Sequence, residues 1–276
     1  MAVGKLKRYG LPFSNVVNTG IATANVTPGR CIEQLRLKLG GTTFTKAMID
    51  LIRVKANGKT VIETSGTQLD KLNTYRGKAV NAAYLDIDFA DFCMNNEFDR
   101  QVGAFDTSSG IANITVEVSI VGATAPTLLL IVTESAAQKS SAGIPAPYAG
   151  IMTKLLRYPY NIASGGQLPL VVPFGPQSGA IIKRLHVAHG GHMTGAVVKQ
   201  DGLVIHESVT AENNYDLLSL GQTPQNNIYT IDFVADRAVV KALDTRSARM
   251  LEWMFTFSAA DTGTVLVEYL DVLGNL

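Results

Sequence analysis

The chain repeats itself at a distance of about half its own length. NGKTVIET (57–64) returns as DGLVIHES (201–208). KRYGLPF (7–13) returns as LRYPYNI (156–162), and QLRLKLGGT (34–42) as RLHVAHGGH (184–192). LDIDFAD (85–91) is echoed by YTIDFVAD (229–236), FDTSSG (105–110) by LDTRSA (243–248), and ITVEVSI (114–120) by LEWMFTF (251–257). No single pair is convincing, but their order is. The separation drifts slowly, from about 149 residues at the start to about 137 at the end. Such drift means short deletions in the loops of the second copy, where changes of length cost little. A period this long marks a duplicated domain rather than a solenoid.

The expected organisation is therefore an N-terminal domain over 1–134, a connector over 135–154 and a C-terminal domain over 155–276, with the repeat itself spanning about 6–134 and 155–273. The stretch SAAQKSSAGIPAPYAG (135–150), rich in Ser, Ala, Gly and Pro, suits a connector and offers nothing to a core. Apolar residues make up 46% of the chain, enough for each half to bury a core of its own.

The periodicity within each copy is two. In Leu35–Arg36–Leu37–Lys38–Leu39 the apolar side chains share one face and the basic ones the other. Val116, Val118 and Ile120 alternate with polar neighbours, as do Trp253, Phe255 and Phe257 with theirs, and Val265, Val267 and Tyr269 face away from Glu268. Strict alternation marks a strand with one buried face. Asn57–Gly58 and Asp201–Gly202, each between apolar alternating runs, predict hairpins with type I′ turns, because both central residues must take positive φ. The pairs Gly40–Gly41 and Gly190–Gly191 end matching strands. Short helices are expected near 67–75 and 211–220. About eight strands in about 120 residues has the size of a jelly roll. The predicted fold is all-β: two tandem jelly rolls, each an eight-stranded antiparallel β-sandwich, with minor short helices.

Charged residues make up only 17% of the chain, against a typical value of about 25%. That shortage predicts that much of the surface faces something other than water. The net charge of +1 gives no pull toward nucleic acid, so no direct nucleic-acid partner is expected. Lys5, Lys7 and Arg8 form a small basic cluster. It reads as a solvated tail or as a contact with lipid headgroups or phosphate. The N-terminus lacks a signal-peptide pattern, and the strongest apolar run, 128–132, is far too short to span a bilayer. Cys31 and Cys93 form no CxxC and read as buried thiols in a protein made in a reducing cytosol.

Catalytic motifs are missing. Gly58–Lys59–Thr60 resembles the end of a phosphate-binding loop, but Arg53 stands where its first glycine is required. His186, His189 and His192 tempt a metal reading, with His206 following. On a strand, residues three apart point to opposite faces, so polar loop-end histidines are the plainer account. A double-barrel cupin needs two His one residue apart, and the chain has none. Asp86, Asp88 and Asp91 lie in the most acidic stretch, and Asp86 and Asp88 share a strand face. They are the candidate calcium ligands, set against the alternative of strand-end carboxylates on a solvated face. No cofactor is required by any of these patterns, and the chain does not read as an enzyme.

The run RLKLGGTTFTKAMIDLIRVKANGKTVIETSGTQLDKLN (36–73) resembles the P2-type major capsid proteins of PM2-like tailless icosahedral bacteriophages with an internal membrane. IRVKANGK (52–59) and the Gly-Gly strand end before it carry the likeness most specifically. The resemblance implies a double jelly-roll coat protein whose homotrimers form pseudo-hexameric capsomers over a lipid vesicle. It implies a virion location after synthesis in the host cytoplasm. The implied partners are lattice neighbours, penton or minor capsid proteins, and membrane proteins. Calcium is the one cofactor it brings in, without ligands that map onto this chain. Two β-sandwiches in tandem also describe a carbohydrate-binding protein. That alternative needs exposed aromatic platforms, and the single tryptophan, Trp253, falls on an apolar strand face.

Overall fold

The computed structural model describes residues 5–138, 150–176, 181–272 and 275. Residues 139–149 of the expected connector lie outside them. The N-terminal half contains β1 (Leu6–Tyr9), β2 (Gly20–Val26), β3 (Cys31–Thr43), β4 (Ile49–Ala56), β5 (Lys59–Thr64), α1 (Gly66–Tyr75), β6 (Tyr84–Asp88), α2 (Glu97–Gln101), β7 (Phe105–Asp106), β8 (Ile114–Ile120) and β9 (Thr124–Ser135). The C-terminal half contains β10 (Met152–Ile162), β11 (Gly166–Leu170), β12 (Ile181–Ala188), β13 (Met193–Gln200), β14 (Leu203–Val209), α3 (Thr210–Ser219), β15 (Ile228–Asp232), β16 (Leu243–Asp244), β17 (Leu251–Phe257) and β18 (Asp261–Asp271).

Each half is a sandwich of two sheets. In the first half the order is β1-β9-β3-β6, with the short β7 also on β3, facing β2-β8-β4-β5. In the second half it is β10-β18-β12-β15, with β16 on β12, facing β11-β17-β13-β14. These are the eight strands and the strand order of a jelly roll, twice over. A single parallel pairing, Leu155 against Ile62, joins β10 to β5 and makes the middle two sheets one continuous nine-stranded sheet among the described residues.

The duplication is exact to the level of backbone irregularities. Leu35 faces Ile87 across β3–β6, and Leu185 faces Ile231 across β12–β15. The register of β3 on β9 shifts between Ile32 and Gln34, and that of β12 on β18 between Ile182 and Arg184. The hairpins β4–β5 and β13–β14 shift after Val54 and after Val198. A bulge changes local twist and re-aims side chains, so matched bulges mean matched curvature. Both turns are as expected: Asn57 and Gly58 have φ of 49° and 81°, Asp201 and Gly202 50° and 86°. Both helices lie within a residue of the predicted spans. Each is tied to its sandwich by a buried amide, Asn73 donating to the Asp86 carbonyl and Asn213 to the Thr230 carbonyl, both at 2.9 Å.

One sequence echo is out of register. Arg8 lies opposite Val132, which lies opposite Leu35. In the second copy the same chain of partners runs Leu185, Val267, Leu156. The counterpart of Arg8 is thus Leu156, not Arg157 as the letters KRY and LRY suggest. A slip of one residue exchanges the two faces of a strand. Nor is the N-terminal basic cluster a tail: β1 is paired with β9, Arg8 meets Glu134 at 2.6 Å and Lys5 meets Glu33 at 3.0 Å.

Two cores result, one centred on Leu35, Val54, Val116 and Val118, the other on Leu185, Val198, Trp253 and Phe255. Met152, Leu155 and Leu266 of the second half belong to the first core, which already points to a tight joint. Phe255 is fully buried and its ring stacks on Trp253. Replacing it with alanine removes a ring the sandwich cannot fill, at a cost of about 3–5 kcal/mol. The expected outcome for Phe255→Ala is a denaturation midpoint well below that of the unaltered chain, followed by circular dichroism.

Candidate functional site: the seam between the sandwiches

The outer face of the β10-β18-β12-β15 sheet carries Thr153, Leu155, Arg184, His186, Thr230, Asp232 and Glu268. In an isolated sandwich this face would meet water. Here the first half covers it with the end of α1, the turn that follows β6, and the strand β5. Arg184, His186, Asp232 and Glu268 are consequently shut off from solvent, as is Lys183, the extra residue at the β12 bulge.

Buried charges need partners, and these find them largely across the seam. Arg184 donates to Asp91 at 2.7 Å, to Glu268 at 3.1 Å and to Asp232 at 3.0 Å. Lys183 reaches Glu268 at 2.8 Å and Asp91 at 3.5 Å. Arg76, at the end of α1, donates to Glu268 at 2.8 Å. The Tyr75 hydroxyl donates to Asp232 at 2.8 Å. Three cations, Arg76, Lys183 and Arg184, thus face three carboxylates, Asp91, Asp232 and Glu268, and Arg76 also lies 3.8 Å from a fourth, Asp88, which Lys78 pairs. Around them the Thr153 hydroxyl donates to the Phe89 carbonyl, and the Thr153 amide to the Gly103 carbonyl at 2.8 Å. Gly103 has φ of 94°, and a Cβ there would fall 2.4 Å from the Thr153 hydroxyl, so the close approach requires glycine.

The electrostatics follow from burial and proximity. Burial alone would pull the Arg184 guanidinium down, but Asp232, Asp91 and Glu268 outweigh it and hold the group well above its ordinary value. Burial alone would raise Glu268 and Asp91, yet the surrounding cations hold both below the usual carboxylate range. His186 sits edge-on to the Tyr75 ring, with Nδ1 2.9 Å from the Thr230 hydroxyl. Burial drives its pKa down to about 3, the pull of Glu268 being opposed by Arg76 and Arg184. It is neutral in the folded chain at any ordinary pH.

The acidic stretch singled out in the sequence belongs to this region but does not converge on a cation position. Asp86 is bound by Arg36 and Lys78, Asp88 by Lys78 and Gln34, and Asp91 by Arg184 and Lys183. Asp86 and Asp88 do share a face, as expected, but basic side chains fill it. Among the described residues no group of three or more His, Cys, Asp or Glu could hold a metal. The histidines are dispersed too: His206 contacts the Tyr229 hydroxyl at 3.1 Å and His189 accepts from the Gly191 amide. Cys31 is buried, its thiol pushed up to about 12 by burial with a further contribution from Asp106, and Cys93 donates to the Arg76 carbonyl. Trp253 is 1% exposed and offers no platform to a sugar.

Sequence reasoning missed Arg76, Lys183, Arg184 and Glu268. A signal existed: Lys183–Arg184 and Glu268 each interrupt a run that is apolar on both sides, in IIKRLHV and VLVEYL. Runs apolar on both faces belong to strands covered on both faces.

Comparison with known proteins gives a consistent result. The description of the viral coat protein P2 N-terminal domain matches residues 8–136, and that of the P2 C-terminal domain matches residues 152–273. The fold is similar to the crystal structure of the major capsid protein P2 from bacteriophage PM2, with a TM-score of 0.81 at 19% identity, covering 97% of each chain. It is similar to a chain in the atomic structure of Sulfolobus Turreted Icosahedral Virus, with a TM-score of 0.73 at 14% identity, covering 98% of this chain and 92% of that one. It is also similar to a chain of the PBCV-1 virus capsid, with a TM-score of 0.61 at 9% identity, covering 96% and 93%. No curated protein sequence matches the chain.

Two outcomes test the seam. Arg184→Met leaves three buried carboxylates short of a cation and should cost about 3–5 kcal/mol in denaturant unfolding. Acid should act in two stages. Below about 6.5 the unfolded chain protonates His186 while the folded chain does not until about 3, so stability falls as pH drops through that window. Asp91 and Glu268 add a second loss below the usual carboxylate value of about 4. His186→Gln should shrink the first stage of a stability profile against pH, leaving the smaller share of His189 and His206, which burial also lowers, and should spare the second.

Proposed function

The chain belongs to the viral coat protein P2 family, and we propose that it builds its shell as trimers whose outline is pseudo-hexameric. It is a capsid protein of the virion, in a family of coat proteins rather than of enzymes. The finer reading has three parts: three chains per capsomer, capsomers tiling an icosahedral lattice, and an internal membrane beneath. Penton, minor capsid and membrane proteins are the further partners, and synthesis takes place in the host cytoplasm.

The observation that carries this reading is the matched pair of sandwiches set side by side through strand pairing. Three chains then supply six nearly equal units, and a threefold assembly can occupy a lattice position with six neighbours. Closed cyclic symmetry is the common way for identical chains to associate. The shortage of charge fits the same picture, since lateral faces are covered in a lattice. The lipid contact expected of Lys5, Lys7 and Arg8 gains no support from their placement, because Lys5 and Arg8 are ion-paired within the first half.

Light scattering on the purified chain should give three times its 29.5 kDa mass, and negative-stain images of those particles should show a six-sided outline. A persistent monomer at high concentration would sink the trimer reading while leaving family membership untouched.

A further inference from the structure

The ion pairs of the seam leave one buried donor over. Arg76 donates from Nη2 to Glu268 at 2.8 Å, while its Nη1 lies 3.8 Å from Asp88, too far for a hydrogen bond. Its Nε is shut off from solvent and meets no acceptor among the described residues. The side chain as a whole is 8% exposed. A buried N–H without a partner is costly, and native structures rarely leave one.

Beside this guanidinium lies a small void between the two halves. Leu69, Ile87 and Leu155 give it apolar walls, and Arg76, Asp88 and Glu268 give it polar ones. The space open to the centre of a water molecule is about 10 Å³. A single water needs about 10–15 Å³ measured in this way, so there is room for one molecule and not for two. Voids with wholly apolar walls stay dry, whereas polar ones hold waters that make about three hydrogen bonds each.

We propose that one ordered water molecule is bound in this void as a part of the joint, accepting from Arg76 Nε and donating to Asp88, with Glu268 as its second acceptor. The groups around the void select the ligand. A cation would face the Arg76 guanidinium, and an anion would face two carboxylates. Water both accepts and donates without bringing a charge. Asp88 has acceptor capacity to spare: Lys78 binds one of its oxygens and Gln34 the other, and each oxygen can accept twice. A polar gap longer than about 3.5 Å, such as that between Arg76 and Asp88, is one that water commonly bridges.

The water makes the seam a single network. Lys78, Gln34 and Asp88 of the first half become linked through it to Glu268, and so to Lys183 and Arg184 of the second. Both halves wall the void, so the molecule is taken up as the sandwiches dock. The site lies within one chain and is independent of the trimer reading.

A crystal structure of the full chain, at a resolution that orders internal solvent, tests the site. A solvent peak within hydrogen-bond distance of both Arg76 Nε and an Asp88 oxygen is expected. A void without density, or an Nε that meets a protein acceptor instead, overturns it. Oxygen-17 relaxation dispersion gives a second reading, because its amplitude counts long-lived internal waters. Leu69→Phe sets a larger side chain on the wall of the void. It should lose the amplitude of one such water and keep its circular dichroism spectrum. A folded Leu69→Phe chain with undiminished amplitude overturns the site, and if that variant does not fold, the crystal structure of the unaltered chain decides alone.

Discussion

Arg184 sits on the outside of one sandwich and the inside of the molecule, and the rest of the architecture depends on that placement. It has to be matched by Asp91, which comes from the other half, and by Asp232 and Glu268, which come from its own. A buried cluster of this kind adds little net stability, since the cost of leaving water offsets most of the attraction. Its penalty for error is large, because any shift of one sandwich on the other strands a charge. The apolar contacts of Met152, Leu155 and Leu266 hold the halves together, and the ions decide where.

Duplication supplied two copies of one scaffold, and the residues on one face then diverged in opposite directions. Gln34 corresponds to Arg184, Arg36 to His186, Thr133 to Glu268 and Lys7 to Leu155. The backbone beneath them kept even its bulges. A face covered permanently on folding can carry a neutral histidine, a leucine and a set of paired, buried ions. The uncovered face of the first half carries Lys7 and Arg36 in their place, with Tyr9, 71% exposed, beside them.

How much of this was legible in the sequence depended on whether the determining signal was local. Hairpin turns were, because positive φ at Asn57–Gly58 and Asp201–Gly202 is a property of two residues. Sheet faces were, because alternation is read along one strand. Five of the six echoes fall in structural register; the first fails because β1 is short and its match rests on two letters. The partners of charged residues were not legible. Asp86 and Asp88 share a face as their spacing requires, but nothing in LDIDFAD says that Lys78, Arg36 and Gln34 will meet them there. Asp91 is settled by residues 92 and 93 positions away.

The joint between the sandwiches is governed by burial. Inside the chain the contact forms once, shuts out bulk water and gathers ions that salt scarcely reaches. Charges in water are screened within about 8–10 Å at physiological salt, whereas buried ones are screened much less. The joint therefore behaves as part of the fold, not as an association that salt can tune.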